Sequence, residues 1–218
     1  VVPGNTSLDI DDRAMELIEE YGVEPMILGY HASFADRPYP AATCVSINDV
    51  VVHGIPNESP QTIEEGDIVS IDLVIGHRGL IVDSARTVGA GKISKDAQAL
   101  IDVTRNALSA GIDAAQAGGW VRDIGAAIEK VVPKRFGIIE TFCGHGVGYA
   151  LHEEPIIPNF VMPGKSHQLK PGMVLAIEPM ITMGERSIWL MPDRWAIRTR
   201  DGKPAAHYEH SVVVRRGH

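Results

Sequence analysis

Gly66-Asp-Ile-Val-Ser-Ile-Asp72 and Gly172-Met-Val-Leu-Ala-Ile-Glu178 align without a gap. Each is a glycine followed by an apolar run, with a carboxylate six residues after the glycine. Short apolar runs bounded by turn residues read as strands. A second pair lies upstream in the same order: Gly4-Asn-Thr-Ser-Leu-Asp-Ile10 and Gly118-Gly-Trp-Val-Arg-Asp-Ile124, each opening a helix. The repeat divides one domain, 1–218, into two facing halves, about 1–90 and 91–218, each a helix followed by strands. The second half carries another helix, 94–116, before its Gly118, whereas this sequence has only Val1-Val2-Pro3 before Gly4. The chain also opens on Val1 rather than Met. The expectation is that a helix of similar length once preceded Val1. Its loss would cost stability rather than chemistry.

The rest of the chain fits around these strands. A helix is expected over 7–21, because Thr6 and Asp9 make a capping-box start and Ile10, Ala14, Leu17, Ile18 and Tyr21 share one face. Residues 25–43 read as a long loop and 44–52 as β-rich. Ile68 to Ile75 and Leu80 to Val88 form a hairpin around His77-Arg78-Gly79. A helix over 121–132 stops at Pro133. Further strands are expected near 173–181, 187–198 and 206–214. The fold class is α+β.

Composition narrows the function. The 20 Lys and Arg against 28 Asp and Glu give a net charge of -8, with no basic stripe for nucleic acid. The two cysteines, Cys44 and Cys143, exclude a disulfide framework or an all-cysteine zinc site. No 18-residue apolar stretch and no signal-peptide pattern occur, so no membrane is expected and the default is a cytoplasmic protein.

Asp72 and Glu178 sit inside apolar strands, where a charge is costly unless it is paired or metal-bound. Asp83 lies across the hairpin from Asp72, within reach of one ion. Glu209 opens the last apolar strand, and His145 stands between Gly144 and Gly146 where backbone can approach closely. Four carboxylates and one imidazole suit one or two divalent cations such as manganese, iron, cobalt or zinc. A pair of ions about 3.5–4 Å apart is the two-metal hydrolase arrangement. His53 and His152 stand beside turn residues, and His152-Glu153-Glu154 lacks the HExxH spacing of zincins. His31, His77, His167, His207, His210 and His218 have no comparable context and read as surface or local hydrogen bonders.

Together, Val-His-Gly-Ile-Pro (52–56), Gly-Asp-Ile-Val-Ser-Ile-Asp (66–72), Asp83-Ser, Cys-Gly-His-Gly-Val-Gly (143–148), His-Glu-Glu-Pro (152–155), Leu-Lys-Pro-Gly-Met (169–173), Ile-Glu-Pro-Met (177–180) and Tyr-Glu-His (208–210) closely resemble type I methionine aminopeptidase. The resemblance runs from Val1 to Arg215. It implies the pseudo-twofold pita-bread fold, a central antiparallel sheet covered by helices on one side. It implies two divalent ions, of cobalt, manganese, iron, zinc or nickel, held by Asp72, Asp83, His145, Glu178 and Glu209, with Asp83 and Glu209 bridging. Glu178 would also move the proton, His152 would contact the scissile carbonyl, and His53 would lie near the new amine. Tyr39, Cys44 and Trp195, with Tyr30 and Leu151, would wrap the methionine side chain. The implied reaction removes the initiator methionine of nascent chains, with a small second residue, in a cytoplasmic monomer with the ribosome as a candidate partner.

This sequence departs from the family at three places. Leu151 stands where an aromatic is usual, which loosens the pocket wall. The segment between Tyr30 and Tyr39 is longer by several residues around Phe34-Ala-Asp-Arg37. The resemblance also leads to the expectation that the family's helical segment before Pro3-Gly4 is missing. Two rival readings are an Xaa-Pro peptidase of the same fold, which usually carries a large N-terminal domain, and a non-catalytic pita-bread binding protein, which typically loses ligands.

Overall fold

The computed structural model describes residues 1–32 and 34–216. Helix α1 spans Ser7–Tyr21, with Thr6 and Asp9 capping each other and Gly22 closing it at φ 62°. That left-handed conformation favours glycine. Helix α2 spans Lys95–Ala114 and α3 spans Val121–Val131. The hairpin joins Ile68–His77 to Leu80–Gly89 through Arg78 and Gly79, both at positive φ as a two-residue hairpin turn requires.

The main sheet is antiparallel throughout. Its order is Glu24–Pro25, Ile68–His77, Leu80–Gly89, Glu209–Val213, Val174–Ile177, Gly144–Gly146 and Glu153–Ile157, and Cys44–Ile47 also pairs with Ile68–His77. The two repeated strands therefore occupy mirrored places. Each flanks one of the two central strands, Leu80–Gly89 and Glu209–Val213. This symmetric order is the pita-bread fold, and it agrees with the repeat in the sequence.

Side chains alternate across a strand, so each face has its own set. Ile71, Leu73 and Ile75 turn toward α1, where they line an apolar groove with Ile10 and Leu17. Leu175 and Ile177 join the core that α2 and α3 build with Leu100, Leu108, Ile124 and Ile128. The helices thus cover one face. The opposite face carries Asp72, Val74, Asp83 and Glu209 around a cavity.

Three expected strands are broken. The 173–181 strand stops at Ile177, and Met180–Thr182 instead pairs with Ala205–His207 and Gly137–Ile138 in a second sheet. Pro179 has no N–H to continue the ladder. The 206–214 strand breaks likewise at Tyr208. The 187–198 strand is two short pieces, Ile188–Leu190 and Ile197–Thr199, the second pairing with Val50–Val52. Both main-sheet breaks fall beside carboxylates, Glu178 and Glu209. No described helix is long and apolar enough to cross a membrane.

Candidate active site

Register decides which side chains meet. Asp72 pairs with Ala85 and Val74 with Asp83, so Asp72 and Asp83 are diagonal neighbours on one face of the hairpin. Glu209 also pairs with Ala85, from the next strand, which sets it beside both. His145 pairs with Ala176, two residues before Glu178. Donor atoms of Asp83, His145 and Glu209 lie within 4.8 Å of one another, and all three residues are buried. His145 Nε2 is 3.8 Å from Asp83 Oδ2 and 3.6 Å from Glu178 Oε1.

The glycines around His145 have a steric cause. A Cβ at Gly144 would overlap the Ala176 carbonyl oxygen, and one at Gly146 would overlap that of Glu154. Only glycine lets the strand nest between its neighbours and seat the imidazole. His145 Nδ1 is 2.9 Å from the Gly146 carbonyl oxygen. A carbonyl can only accept, so Nδ1 carries the proton and Nε2 turns a free lone pair toward the carboxylates. That is the tautomer a metal ligand needs.

Crowded acids without cations resist ionisation. Burial raises Glu178 to about 7. Burial first, and neighbouring carboxylates second, push Asp83 and Glu209 well above the usual carboxylate range. Burial raises Asp72 too. Asp72 Oδ1, Asp83 Oδ1 and Glu209 Oε1 are buried acceptors with no hydrogen-bond partner. Native proteins rarely leave such atoms unsatisfied. A divalent cation among them answers both the repulsion and the unmet acceptors, so the donor set fits a metal centre.

Two more imidazoles reach the cavity. Burial lowers His53 to about 3, and burial with the nearby His145 lowers His152 to about 4, so both are neutral at neutral pH. Tyr30 Oη lies 2.8 Å from His152 Nδ1. His53 is held at φ 59°, and the next residue must be glycine, because a Cβ at Gly54 would overlap the Val45 carbonyl oxygen. The apolar wall includes Ile27, Phe34, Phe142, Leu151, Met180 and Trp195. Phe34 stacks on His53, with centroids 5.6 Å apart, and meets Trp195 edge-on at 5.4 Å.

The model of metallopeptidase family M24 matches residues 1–216. The chain belongs to family M24. Among its relatives, methionine aminopeptidase of Aquifex aeolicus is 44% identical over 217 residues, 98% of this chain and 84% of that protein. Methionine aminopeptidase 1 of Mycobacterium tuberculosis is 42% identical over 219 residues, 97% of this chain and 80% of that one. The crystal structure of methionine aminopeptidase from Thermotoga maritima matches with a TM-score of 0.92 at 37% identity, covering 99% of this chain and 84% of that chain. Prolidase from Pyrococcus furiosus, at TM-score 0.71 and 19% identity, covers 100% of this chain but 55% of its own, and shares the fold alone. This M24 chain is a divalent-metal-dependent aminopeptidase.

Most of the expected site residues of this M24 chain meet at the cavity: Asp72, Asp83, His145, Glu178, Glu209, His53, His152, Tyr30, Leu151 and Trp195. Tyr39 and Cys44 do not line it. Tyr39 is fully buried behind Trp195, edge-on at 5.1 Å, with its hydroxyl donating to the carbonyls of Thr43 and Gly54. Cys44 pairs with Asp72 across the sheet and packs in the same apolar cluster. These two support the wall rather than forming it.

His207 is the opposite case. It was expected to be a surface residue or a local hydrogen bonder without a part in the site, yet it is 2% exposed and lines the cavity. Its place two residues before Glu209, within the strand expected over 206–214, was the available signal. His31, His77, His167 and His210 are exposed as expected, and His218 lies outside the described residues. Sequence reasoning also missed Phe34, Phe142 and Met180 as wall residues. Phe34 belongs to the 30–39 segment that was expected to be longer than the family's, which was the one hint.

Proposed function

We propose that this chain removes the N-terminal methionine of nascent polypeptides, using two divalent cations held by Asp72, Asp83, His145, Glu178 and Glu209. The observation that carries this reading is the buried Asp83–His145–Glu209 cluster at the floor of a cavity with an apolar, aromatic wall. Thioether sulfur packs favourably against aromatic rings, and Trp195 and Phe34 offer them. When bound, the cations supply the positive charge that brings water to a nucleophilic state near neutral pH.

The protein groups divide the remaining work. Glu178, raised to about 7, is suited to accept the proton of the attacking water and pass it to the leaving amine. Tyr30 Oη is 2.8 Å from His152 Nδ1, and in the tautomer this reading needs the hydroxyl donates a hydrogen bond to Nδ1 while the imidazole proton stands on Nε2. Nε2–H then donates to the scissile carbonyl oxygen as negative charge develops there. His53 clusters with Phe34 and Phe142, which also meet each other edge-on, and the second residue of the substrate would pass beside this group. That narrow place favours a small second side chain.

The test compares Met-Ala-Ser with Leu-Ala-Ser and with an Xaa-Pro dipeptide, each with manganese or cobalt. Methionine release from the first alone is expected. Cleavage of the Xaa-Pro peptide without methionine release overturns the assignment.

A further inference from the structure

The Ala205–His207 strand brings a sixth donor to the metal-binding face. His207 is 2% exposed, and its Nε2 is buried with no hydrogen-bond partner. The nearest charged atoms are carboxylate oxygens: Glu178 Oε2 at 3.6 Å and Glu209 Oε2 at 3.9 Å. His145 has the same relationship to the other oxygen of Glu178, at 3.6 Å, and to Asp83 Oδ2, at 3.8 Å. Glu178 is therefore bracketed by two imidazoles, one at each oxygen.

These separations are too long for hydrogen bonds, which end near roughly 3.2 Å for N–H···O. They resemble the spacing between two ligands of one ion. Donors about 2.1 Å from an ion at tetrahedral angles stand roughly 3.4 Å apart. The backbone of His207 is also fixed. Its N–H donates to Thr87 Oγ1 at 2.8 Å, and the same hydroxyl donates to its carbonyl at 2.8 Å. Ser70 Oγ, 2.8 Å from Thr87 Oγ1, completes the chain of hydroxyls. Ser70 lies on the strand of Asp72, so the imidazole is tied to that side of the centre.

We propose that His207 Nε2 is a nitrogen ligand of the second ion, on the side of Asp72, so that each ion has one imidazole. This rests on the two-cation reading above. A second nitrogen makes the centre less oxygen-rich and shifts its preference from manganese toward cobalt, nickel and zinc.

The test uses the whole chain loaded with Co(II). Calorimetry counts the bound ions, and proton NMR counts exchangeable, paramagnetically shifted imidazole N–H signals. Two ions and two such signals are expected in the native protein. His207→Gln should lose one signal and weaken Co(II) binding at one of the two sites by at least about tenfold, with a smaller effect for Mn(II). Two bound ions with a single shifted imidazole signal in the native protein overturn this proposal and leave the two-cation reading standing. No Co(II) binding overturns both. The native count needs no variant, so a misfolded His207→Gln does not weaken the test.

Discussion

The hydroxyl of Tyr30 lies 2.8 Å from Nδ1 of His152. One hydrogen bond therefore occupies Nδ1 and leaves Nε2 as the ring nitrogen for the proposed contact with the substrate. Tyr30→Phe removes it without touching the buried carboxylates proposed to hold metal. A net hydrogen bond is worth about 1 kcal/mol, so kcat should fall about fivefold, with metal stoichiometry unchanged. Steady-state kinetics with metal analysis checks this. An unchanged kcat shows that Tyr30 does not position the imidazole.

Asp83 and His152 occupy the same cavity but should fail differently. Asp83→Ala removes a buried member of the tight cluster and should abolish both metal binding and activity. His152→Ala should lower kcat by roughly a hundredfold or more, the scale of one lost oxyanion donor, with metal still bound. Loss of metal from the His152 variant contradicts the division of roles.

Stability should depend on pH in opposite ways with and without metal. Glu178 is raised from 4.5 to about 7, and Asp83 and Glu209 well above their ordinary values. Above about pH 4.5 the folded, metal-free protein holds protons that the unfolded chain has released, so stability falls as pH rises. Thermal melts of chelator-treated protein should give a lower Tm at about pH 8 than at about pH 5. Excess manganese should remove or reverse the trend, because cations bind the deprotonated ligands. A metal-free protein more stable at the higher pH contradicts the electrostatic description.

Gly146 has no room for a methyl group, because the Glu154 carbonyl occupies the place of a Cβ. Gly146→Ala must push apart the strand that carries His145. A cost of roughly 1–3 kcal/mol is expected, with weakened metal affinity. Denaturant unfolding and a metal titration measure both. An alanine variant with native stability and affinity shows that the strand has slack there.

Phe34 stacks on His53 and touches Trp195 and Phe142. Phe34→Ala should widen the path of the second residue. The ratio of kcat/KM for Met-Leu-Ser to that for Met-Ala-Ser should rise, with metal content unchanged. An unaltered ratio removes Phe34 from specificity.

The sequence made the local features legible. The Thr6–Asp9 capping box, the Arg78-Gly79 hairpin and the apolar face of the first helix follow from patterns a few residues long. The repeated strands also showed the symmetry of the sheet, because their carboxylates recur at the same place. The breaks at Pro179 and Tyr208 were less visible, since a short strand that changes sheets keeps its apolar character throughout. Tyr39 and Trp195 show a similar limit. Both look like pocket residues in sequence, and only packing places one in front of the other. The packing of His207 was harder to see, since its strand pairs with Met180–Thr182 and its N–H donates to Thr87, 120 residues away.

The most direct measurement is a stoichiometric one. Metal-free protein is titrated with cobalt or manganese while free methionine released from Met-Ala-Ser is counted. Release should be absent at zero metal, rise with the first equivalents to a plateau by about two ions per chain, and disappear again with chelator. Methionine release that does not depend on metal, or none at any metal level, would contradict a metal-dependent methionine aminopeptidase built on these five ligands.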